Sequence, residues 1–351
     1  MRVLLTGHLG FLGARLAPML RAAEIEVVGL DNGLFRDCAI APVEVIPAIE
    51  KDLRDVEAAD LGGFDAVIHL AGLSGETLGH VHPAITFEVN FEATLRLAQI
   101  ARQCGVRRFL FASDTCVYGS GRARRSEGAP LTPESAYAVS KALAETELRR
   151  LGSDAFCPVF LRAAEAYGVS PMMRFEPVLN RLVADAAISG RMQIELDEGA
   201  RRYDLVHVED LARAFHAALM APQERVHLQA FNVGVPGETY AVEELARFVG
   251  EIVPGAVIAE RAEALPQQDH ALAHFGKIAR VLKGYRPRWT ARRGAVEVYE
   301  TLRRLSLRQG DVAGARFGRA DHLKMLVRLG RMDDELRLIS QAPLSTAIGA
   351  R

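Results

Sequence analysis

The sequence contains, close to its first residue, the glycine-rich stretch Thr6-Gly7-His8-Leu9-Gly10-Phe11-Leu12-Gly13. A short apolar run, Arg2–Leu5, precedes it, and residues with helical spacing follow it. In this arrangement Gly7 permits a tight turn, Gly10 lets the backbone approach a pyrophosphate, and Gly13 lets the helix pack closely on the strand. The first turn of the helix then offers free N–H groups to phosphates. The spacing therefore predicts the phosphate-binding turn of a dinucleotide site.

An acidic residue follows the second predicted strand. The apolar run Glu26–Leu30 stops at Asp31-Asn32-Gly33. A carboxylate at the end of this strand accepts hydrogen bonds from a ribose 2′-hydroxyl and repels a 2′-phosphate. The sequence therefore predicts NAD, and not NADP, as the cofactor.

Two further segments, Asp52–Asp55 and His69–Gly72, come directly after later predicted strands. They are expected at the carboxyl edge of the sheet, beside the cofactor crevice. Asp52 is a candidate acceptor for the adenine amino group, and the alternative is an aspartate that only caps a loop. The predicted cofactor-binding residues are therefore Gly7, Gly10, Phe11, Leu12, Gly13, Asp31, Asn32, Asp52, Leu53, Leu70, Ala71 and Gly72.

Strand and helix patterns alternate through about the first half of the chain. The next predicted strands are the apolar runs Val43–Ile46, Ala66–Leu70 and Phe109–Ala112, and the long predicted helices are Ala84–Cys104 and Ser135–Leu151. Strands that alternate with helices indicate parallel βαβ units. We therefore expect an α/β fold with a Rossmann-like, doubly wound parallel sheet and a smaller C-terminal α+β substrate domain.

The alternation weakens after residue 168, which predicts a division of the chain. The last 51 residues carry ten Lys or Arg and five Asp or Glu, and an amphipathic helix is expected around Leu323 and Leu326. The predicted parts are an NAD-binding domain at 1–168, with strands near 205–208 and 231–233 rejoining its sheet, a substrate domain at 169–204 and 236–300, and a helical extension at 301–351.

Tyr137 and Lys141 lie four residues apart in a predicted helix and therefore share one face. A free tyrosine has a pKa near 10, and a nearby ammonium lowers that pKa by favouring the phenolate. The phenolate can take a proton from a substrate hydroxyl while hydride leaves for NAD. A solvated helix face is the alternative, but the dinucleotide pattern upstream favours a catalytic pair that also contacts the cofactor.

Composition excludes several other classes of protein. The 351 residues are 49% hydrophobic and 25% charged, and the net charge is 43 − 44 = −1, so neither disorder nor a general affinity for nucleic acid is expected. No apolar run approaches the roughly 18–20 residues of a membrane helix. Glycine follows the first residues too early for a signal peptide, and the four cysteines form no CxxC pair. We expect a cytoplasmic protein without a membrane segment or a metal site.

These motifs together resemble the extended short-chain dehydrogenase/reductase family, and in particular its nucleotide-sugar epimerases and dehydratases. The resemblance covers roughly residues 1–300 and depends on Thr6–Gly13, Asp31, Leu70–Gly72, Phe111–Gly119 and Tyr137–Lys141. It implies tightly held NAD, transient oxidation of a carbon of a nucleotide-activated sugar to a ketone, and a homodimer. The alternatives are an NAD-dependent sugar or polyol dehydrogenase or reductase, and an NAD-binding regulatory protein with impaired catalysis.

The sequence departs from the family in the Ala112–Gly119 segment. The family has Ser or Thr four residues before the tyrosine of Val-Tyr-Gly, and this chain has Asp114, between Ser113 and Thr115. Either a bulge brings a neighbouring hydroxyl inward or Asp114 itself faces the substrate as an acid/base. Asp114 and Thr115 are therefore candidate catalytic residues, and Cys116 occupies a place where family dehydratases carry an acid.

A second set of departures concerns the substrate. Glu165 stands where the family supplies an asparagine, and Tyr203 stands where it supplies a phosphate-binding arginine, with Arg202 one residue early. The candidate substrate contacts are Ser74, Glu165, Arg202 and Tyr203. We hypothesise that Asp114 and Glu165 both face the substrate cavity, with a cation between them. That cation is either a positive group on the substrate or one of the arginines Arg162, Arg201 and Arg202.

Overall fold

The computed structural model describes residues 1–75, 82–121, 123–194, 201–260, 271–305, 307, 309–312 and 314–339. The strands in these residues are β1 Arg2–Thr6, β2 Glu26–Asp31, β3 Ala48–Glu50, β4 Ala66–His69, β5 Arg108–Asp114, β6 Cys157–Ala163, β7 Glu165–Tyr167, β8 Arg191–Ile194, β9 Arg202–His207, β10 Ala230–Val233, β11 Thr239–Ala241 and β12 Val257–Glu260.

The helices follow the strands in alternation through the first half of the chain. They are α1 Gly13–Ala22, α2 Pro83–Phe87, α3 Ala93–Gln103, α4 Ala136–Leu151, α5 Val178–Ser189, α6 Val208–Met220, α7 Gln223–Val226, α8 Val242–Ile252, α9 Gly276–Val281, α10 Ala291–Leu305, α11 Gln309–Val312 and α12 Arg319–Arg328. A π-helical turn, Glu88–Glu92, joins α2 to α3. Within the described ranges, none of these helices combines the length and apolarity that crossing a membrane requires.

Seven strands form one sheet in the order β10-β6-β5-β4-β1-β2-β3, and every neighbouring pair is parallel. Helices α1 and α6 pack on one face through Leu16, Leu20 and Phe215, while α3 and α4 pack on the other through Leu97 and Leu148. The strand order reverses between β1 and β4, which is where doubly wound sheets bind ligands at the carboxyl ends of their strands. The predicted Rossmann-like fold class is confirmed.

One strand prediction is wrong, and a second strand is present but lies in a different sheet from the one predicted. Val43–Ile46 is not a strand, and β3 begins only after Pro47, whose carbonyl accepts a hydrogen bond from Gly29. The apolar run misled because Val45 is 90% exposed and only Ile46 packs into the core.

The predicted strand 205–208 lies in β9, and β9 does not rejoin the main sheet. It pairs with β7 and β11 in a separate three-stranded sheet, whereas β10 does rejoin the main sheet, as predicted for 231–233. The reason is that β7 follows β6 after one residue, Ala164, and leaves the main sheet there to pair with β9. The domain boundaries stay a prediction.

A buried ion pair ties α4 to β6. Glu145 accepts hydrogen bonds from the Arg162 guanidinium at 2.8 and 2.6 Å, and Ser113 Oγ donates to the same carboxylate at 2.7 Å. Arg162 also donates to the Tyr118 hydroxyl at 2.8 Å, and that hydroxyl donates to Asn232 Oδ1 at 2.7 Å. Because all five side chains are buried, the network fixes α4 against β5, β6 and β10.

We expect Glu145→Ala to lower the free energy of unfolding by about 3–5 kcal/mol, because the variant leaves a buried guanidinium without its counter-charge. The control is Glu147→Ala in the same helix, whose partner Arg150 is 71% exposed. It should cost less than about 1 kcal/mol. Urea denaturation measures both values, and equally small losses would contradict the assignment of a buried pair.

Candidate active site

The glycine turn joins β1 to α1 in very little space. Gly7 has a φ of +72°, and a Cβ atom there would lie 2.7 Å from the backbone nitrogen of Ala71. A Cβ atom on Gly13 would lie 2.2 Å from the carbonyl oxygen of Gly7. Leu12, at the N-cap position of α1, gives the helix no side-chain cap. The turn therefore leaves the helix N-terminus open toward an anionic group, which fits a pyrophosphate.

Asp31 lies at the end of β2, beside the glycine turn. Its carboxylate accepts hydrogen bonds from the backbone nitrogens of Leu9 at 3.1 Å and Gly33 at 2.8 Å. Burial raises the pKa of Asp31. The neighbouring Asn32 side chain accepts a hydrogen bond from Leu34 N at 3.1 Å. Backbone N–H groups thus hold Asp31, the predicted ribose-binding acid, next to the glycine turn.

The Asp52 side chain, the predicted acceptor for the adenine amino group, is hydrogen-bonded inside its own turn. Arg54 donates to it from its backbone nitrogen, Nε and Nη2, each at 2.9 Å, and Asn32 Nδ2 donates at 3.4 Å. These hydrogen bonds fix the orientation of the carboxylate, and its contact with adenine stays a prediction. Sequence reasoning missed the pairing of Asp52 with Arg54. The two residues are only two positions apart, and the Arg54 guanidinium folds back onto the Asp52 carboxylate inside one short turn.

His69, at the end of β4, connects the turn to α3. Its Nδ1 lies 2.7 Å from Thr6 Oγ1, and its Nε2 lies 2.8 Å from Thr94 Oγ1. Burial lowers the pKa of His69 to about 3, so the ring is neutral at pH 7. Ala71 N donates to Thr6 Oγ1 at 3.2 Å. This neutral relay holds the Leu70–Gly72 backbone against the glycine turn.

The loop after β4 is held from the π-helical turn. Asn90 accepts from Leu73 N and donates to Leu73 O, both at 2.8 Å. A Cβ atom on Gly72 would lie 2.8 Å from Asn90 Oδ1, so the small residue predicted there is required. Ser74, a predicted substrate contact, accepts a hydrogen bond from Arg174 at 3.0 Å. Sequence reasoning missed Asn90, although a polar residue inside an apolar helical pattern was a signal for it.

Tyr137 and Lys141 lie together on α4, which Ser135 caps. Lys141 Nζ donates to Ala112 O at 2.8 Å and lies 5.7 Å from the centre of the Tyr137 ring. Both side chains are buried, with 7% and 6% exposure. Burial lowers the pKa of Lys141 to about 8, so the ammonium is mostly retained at pH 7. The predicted catalytic pair thus brings a phenol and a cation together at the carboxyl end of β5.

The residues of the unusual segment at the end of β5 have different partners. Ser113 donates to Glu145 inside the buried network, so its hydroxyl is held by that carboxylate, four residues along α4 from Lys141. Asp114 accepts from Cys116 N at 2.8 Å, and its charge acts on Lys141, whose pKa it raises against the effect of burial. The Asp114 charge therefore acts on the catalytic pair, while the Ser113 hydroxyl is engaged by Glu145.

Thr115 and Cys116 begin the short turn that follows Asp114, and both are buried. Cys116 packs with Tyr137 and Ala138 in one small apolar cluster. A thiol therefore lies beside the tyrosine ring.

Two of the predicted substrate-side residues have partners within the protein, and a third lies on the inner side of β9. Glu165 accepts a hydrogen bond from Val178 N, the first residue of α5, and so caps that helix. Arg202 is 43% exposed and pairs with Glu244 at 3.0 Å on the outer side of β9. Tyr203 alternates to the inner side, where burial and then the charge of Glu165 raise its pKa.

The predicted cation between Asp114 and Glu165 is wrong for two of its candidates. The Arg162 guanidinium belongs to the buried pair with Glu145, and Arg202 belongs to the surface pair. Glu165 lies at the N-terminus of α5, where the backbone N–H of Val178 donates to it.

The motif geometry agrees with a comparison against known families. Residues 3–234 match the model of the NAD dependent epimerase/dehydratase family. The chain belongs to this family. A UDP-glucose 4-epimerase from Mycolicibacterium smegmatis is 30% identical over 263 residues, which are 72% of this chain and 83% of the relative. Membership confirms the predicted family resemblance, the predicted NAD cofactor and the predicted enzyme class.

Solved structures of the family superpose on most of the chain. MoeE5, in complex with UDP-glucuronic acid and NAD, has a TM-score of 0.75 at 28% identity, over 88% of this chain and 100% of its own. A double mutant of DesIV, a dTDP-glucose 4,6-dehydratase from Streptomyces venezuelae with NAD and DAU bound, has a TM-score of 0.73 at 26% identity, over 86% and 97%. The chain is thus similar both to proteins named as epimerases and to one named as a dehydratase.

We expect the cofactor-free protein to bind NAD at least about tenfold more tightly than NADP, which corresponds to ~1.4 kcal/mol. The physical reason is that a 2′-phosphate would meet the Asp31 carboxylate. The variant Asp31→Asn should lose most of this preference. Calorimetric titration with both nucleotides measures it, and NADP binding equal to or tighter than NAD binding would rule out the role given to Asp31.

Proposed function

We propose that this chain is an NAD-dependent epimerase of a UDP-activated hexose. The observation that carries the proposal is the buried Tyr137–Lys141 pair, with Lys141 held on the Ala112 carbonyl at the end of β5. The relatives support the substrate class, since they include UDP-glucose 4-epimerases and a protein solved with UDP-glucuronic acid. A cytoplasmic homodimer, which the sequence and the resemblance imply, stays part of the proposal, and sedimentation equilibrium tests the dimer.

In this proposal the residues of three strand ends hold the cofactor. The turn Gly7–Gly13 receives the pyrophosphate, Asp31 receives a ribose diol, and the backbone of Leu70–Gly72 lies along the dinucleotide. The close approaches at Gly7 and Gly13 support this fit, because side chains there would fill the space. When bound, NAD supplies a reversible hydride acceptor for the sugar carbon that carries the reacting hydroxyl.

Tyr137 is the proposed general acid/base. Its phenolate takes the proton of the sugar hydroxyl and later returns it. The Lys141 ammonium favours that phenolate electrostatically, and the Ala112 carbonyl orients the ammonium. Asp114 or Thr115 contacts the reacting hydroxyl from the end of β5. Epimerisation then requires only that the oxidised sugar present its other face before the hydride returns.

A dehydratase is the second candidate, and Asp114 is the observation that favours it. Elimination of water needs a base for a carbon-bound proton and an acid for the departing hydroxyl. The Asp114 carboxylate and the Cys116 thiol are the groups of this segment that lie beside the catalytic pair. The epimerase remains the first choice because it needs neither group to transfer a proton.

We expect Tyr137→Phe to lower turnover about 100-fold or more, because the variant removes the proton acceptor and keeps the ring. NAD binding should change little. The control is Tyr299→Phe on α10, outside the site, which should keep wild-type turnover. Steady-state rates and calorimetry on the same preparations give both quantities, and activity within a few-fold of wild type would show that Tyr137 is not the base.

Asp114→Ser separates the two candidate functions. We expect the wild-type protein to convert a UDP-hexose into a product of unchanged mass, and Asp114→Ser to keep turnover within about tenfold, since serine supplies a hydroxyl that can contact the reacting group at that position. Mass spectrometry of the product measures this. A product lighter by one water, together with a loss of about 100-fold or more in Asp114→Ser, would establish the dehydratase instead. Stoichiometric NADH release would contradict both.

A further inference from the structure

The C-terminal segment, residues 319–339, packs on two loops that flank the glycine turn. Leu323 and Leu326 of α12 form a buried cluster with Leu34 and Leu73. Leu34 follows β2 and Leu73 follows β4. Because β1 lies between β4 and β2 in the sheet, a segment that touches both loops spans the turn that follows β1. The family model ends at residue 234, so this segment lies outside it.

Polar contacts fasten the segment to the same loops. His322 Nε2 lies 3.2 Å from the carbonyl oxygen of Leu34. At the other end, the buried Arg54 donates to the carbonyl oxygen of Glu335 at 2.8 Å, and Arg337 pairs with Asp55 at 2.8 Å. The segment is therefore anchored both at α12 and again at residues 335–337.

Arg319, the first residue of α12, differs from these residues in the polar contacts of its side chain. It is only 7% exposed, and its guanidinium carbon lies 4.2 Å from the centre of the Phe35 ring. Its backbone nitrogen donates to Glu176 at 3.3 Å. Across the described residues, however, the guanidinium has neither a hydrogen bond nor an ion pair. The carboxylates of Glu176 and Asp31 act on it only through space, so its N–H donors are unused by the described part of the chain, and a buried guanidinium of this kind calls for an anionic ligand.

The surroundings of Arg319 place that ligand at the cofactor crevice. Phe35 belongs to the loop after β2, four residues beyond Asp31, and the Asp31 charge acts on Arg319. Glu176 belongs to the loop that begins near Ser170, and Ser170 Oγ donates to the carbonyl oxygen of Phe11 in the glycine turn at 2.7 Å. Both loops that contact Arg319 therefore border the turn.

We propose that the Arg319 guanidinium binds the pyrophosphate of the dinucleotide, and that the C-terminal segment covers the cofactor site. The inference rests on the dinucleotide site of the proposed function. The N-terminus of α1 supplies backbone donors from one side, and Arg319 supplies a planar fork of N–H donors from the other, which suits phosphate oxygens. The nucleotide of the sugar substrate carries the same diphosphate chemistry, and Asp31 and Phe35 favour the cofactor as its source.

The test compares Arg319→Gln with Lys324→Gln, an exposed position on the same helix. Calorimetry on cofactor-free protein uses NAD, ADP-ribose and adenosine. We expect Arg319→Gln to weaken NAD and ADP-ribose about 10- to 100-fold, as the loss of a charge-assisted contact predicts, and to leave adenosine unchanged. Lys324→Gln should bind all three like wild type. Urea denaturation should show the cofactor-free Arg319→Gln protein to be at least as stable as wild type, because the variant removes an unpaired buried cation.

Several results would overturn the inference. Wild-type affinity for NAD in Arg319→Gln would do so, as would an equal loss for adenosine, because adenosine carries no phosphate. A loss confined to a UDP-sugar would move the guanidinium to the substrate diphosphate. If Arg319→Gln does not fold, Arg319→Lys is the second variant: it keeps the charge without the fork, and unchanged affinity for NAD and ADP-ribose in it would exclude bidentate binding. A wild-type protein that binds neither NAD nor ADP-ribose would instead overturn the proposed function.

Discussion

A Cβ atom on Gly13 would lie 2.2 Å from the carbonyl oxygen of Gly7, so α1 can begin where it does only without a side chain at that position. This close approach aims the helix N-terminus across the carboxyl ends of the strands. The Leu70–Gly72 backbone and the Asp31 carboxylate are then positioned relative to the same turn, through Thr6 Oγ1 and Leu9 N. The crevice is therefore defined by backbone contacts at the end of β1, which explains why small residues recur there.

Helix α4 transmits the packing of the sheet to the catalytic pair. Tyr137, Lys141 and Glu145 follow one another at intervals of four, so they share one face of the helix. Glu145 is anchored to Arg162 on β6, and Lys141 is anchored to the Ala112 carbonyl on β5. Two fixed points on one face hold the tyrosine between the helix N-terminus and the sheet. A buried ion pair that touches no substrate thus supports the position of the proposed base.

The sequence allowed prediction wherever the signal was local. The glycine spacing, Asp31 after β2 and the Tyr137–Lys141 interval each depend on residues close together in the chain, and the structure brings them to one edge. The incorrect predictions concern tertiary contacts, which the periodicity of the sequence does not indicate. The placement of β9 depends on β7 leaving the sheet after Ala164, and the role of Glu165 depends on where α5 begins, thirteen residues later. The placement of β9 and the position of Glu165 can be deduced only when the tertiary arrangement is known.

The charge balance of the last residues acquires a physical explanation in the same way. The excess of basic residues was compatible with a solvated helix, yet Arg337 and Arg331 pair with Asp55 and Asp37, acids of the first 60 residues. Such exposed pairs contribute little to stability individually. Arg319 is different, since burial lowers its pKa while its guanidinium lacks a partner within the described ranges. In the proposed complex the pyrophosphate supplies the missing partner of the guanidinium. Docking of the segment and binding of the dinucleotide therefore stabilise each other by linkage.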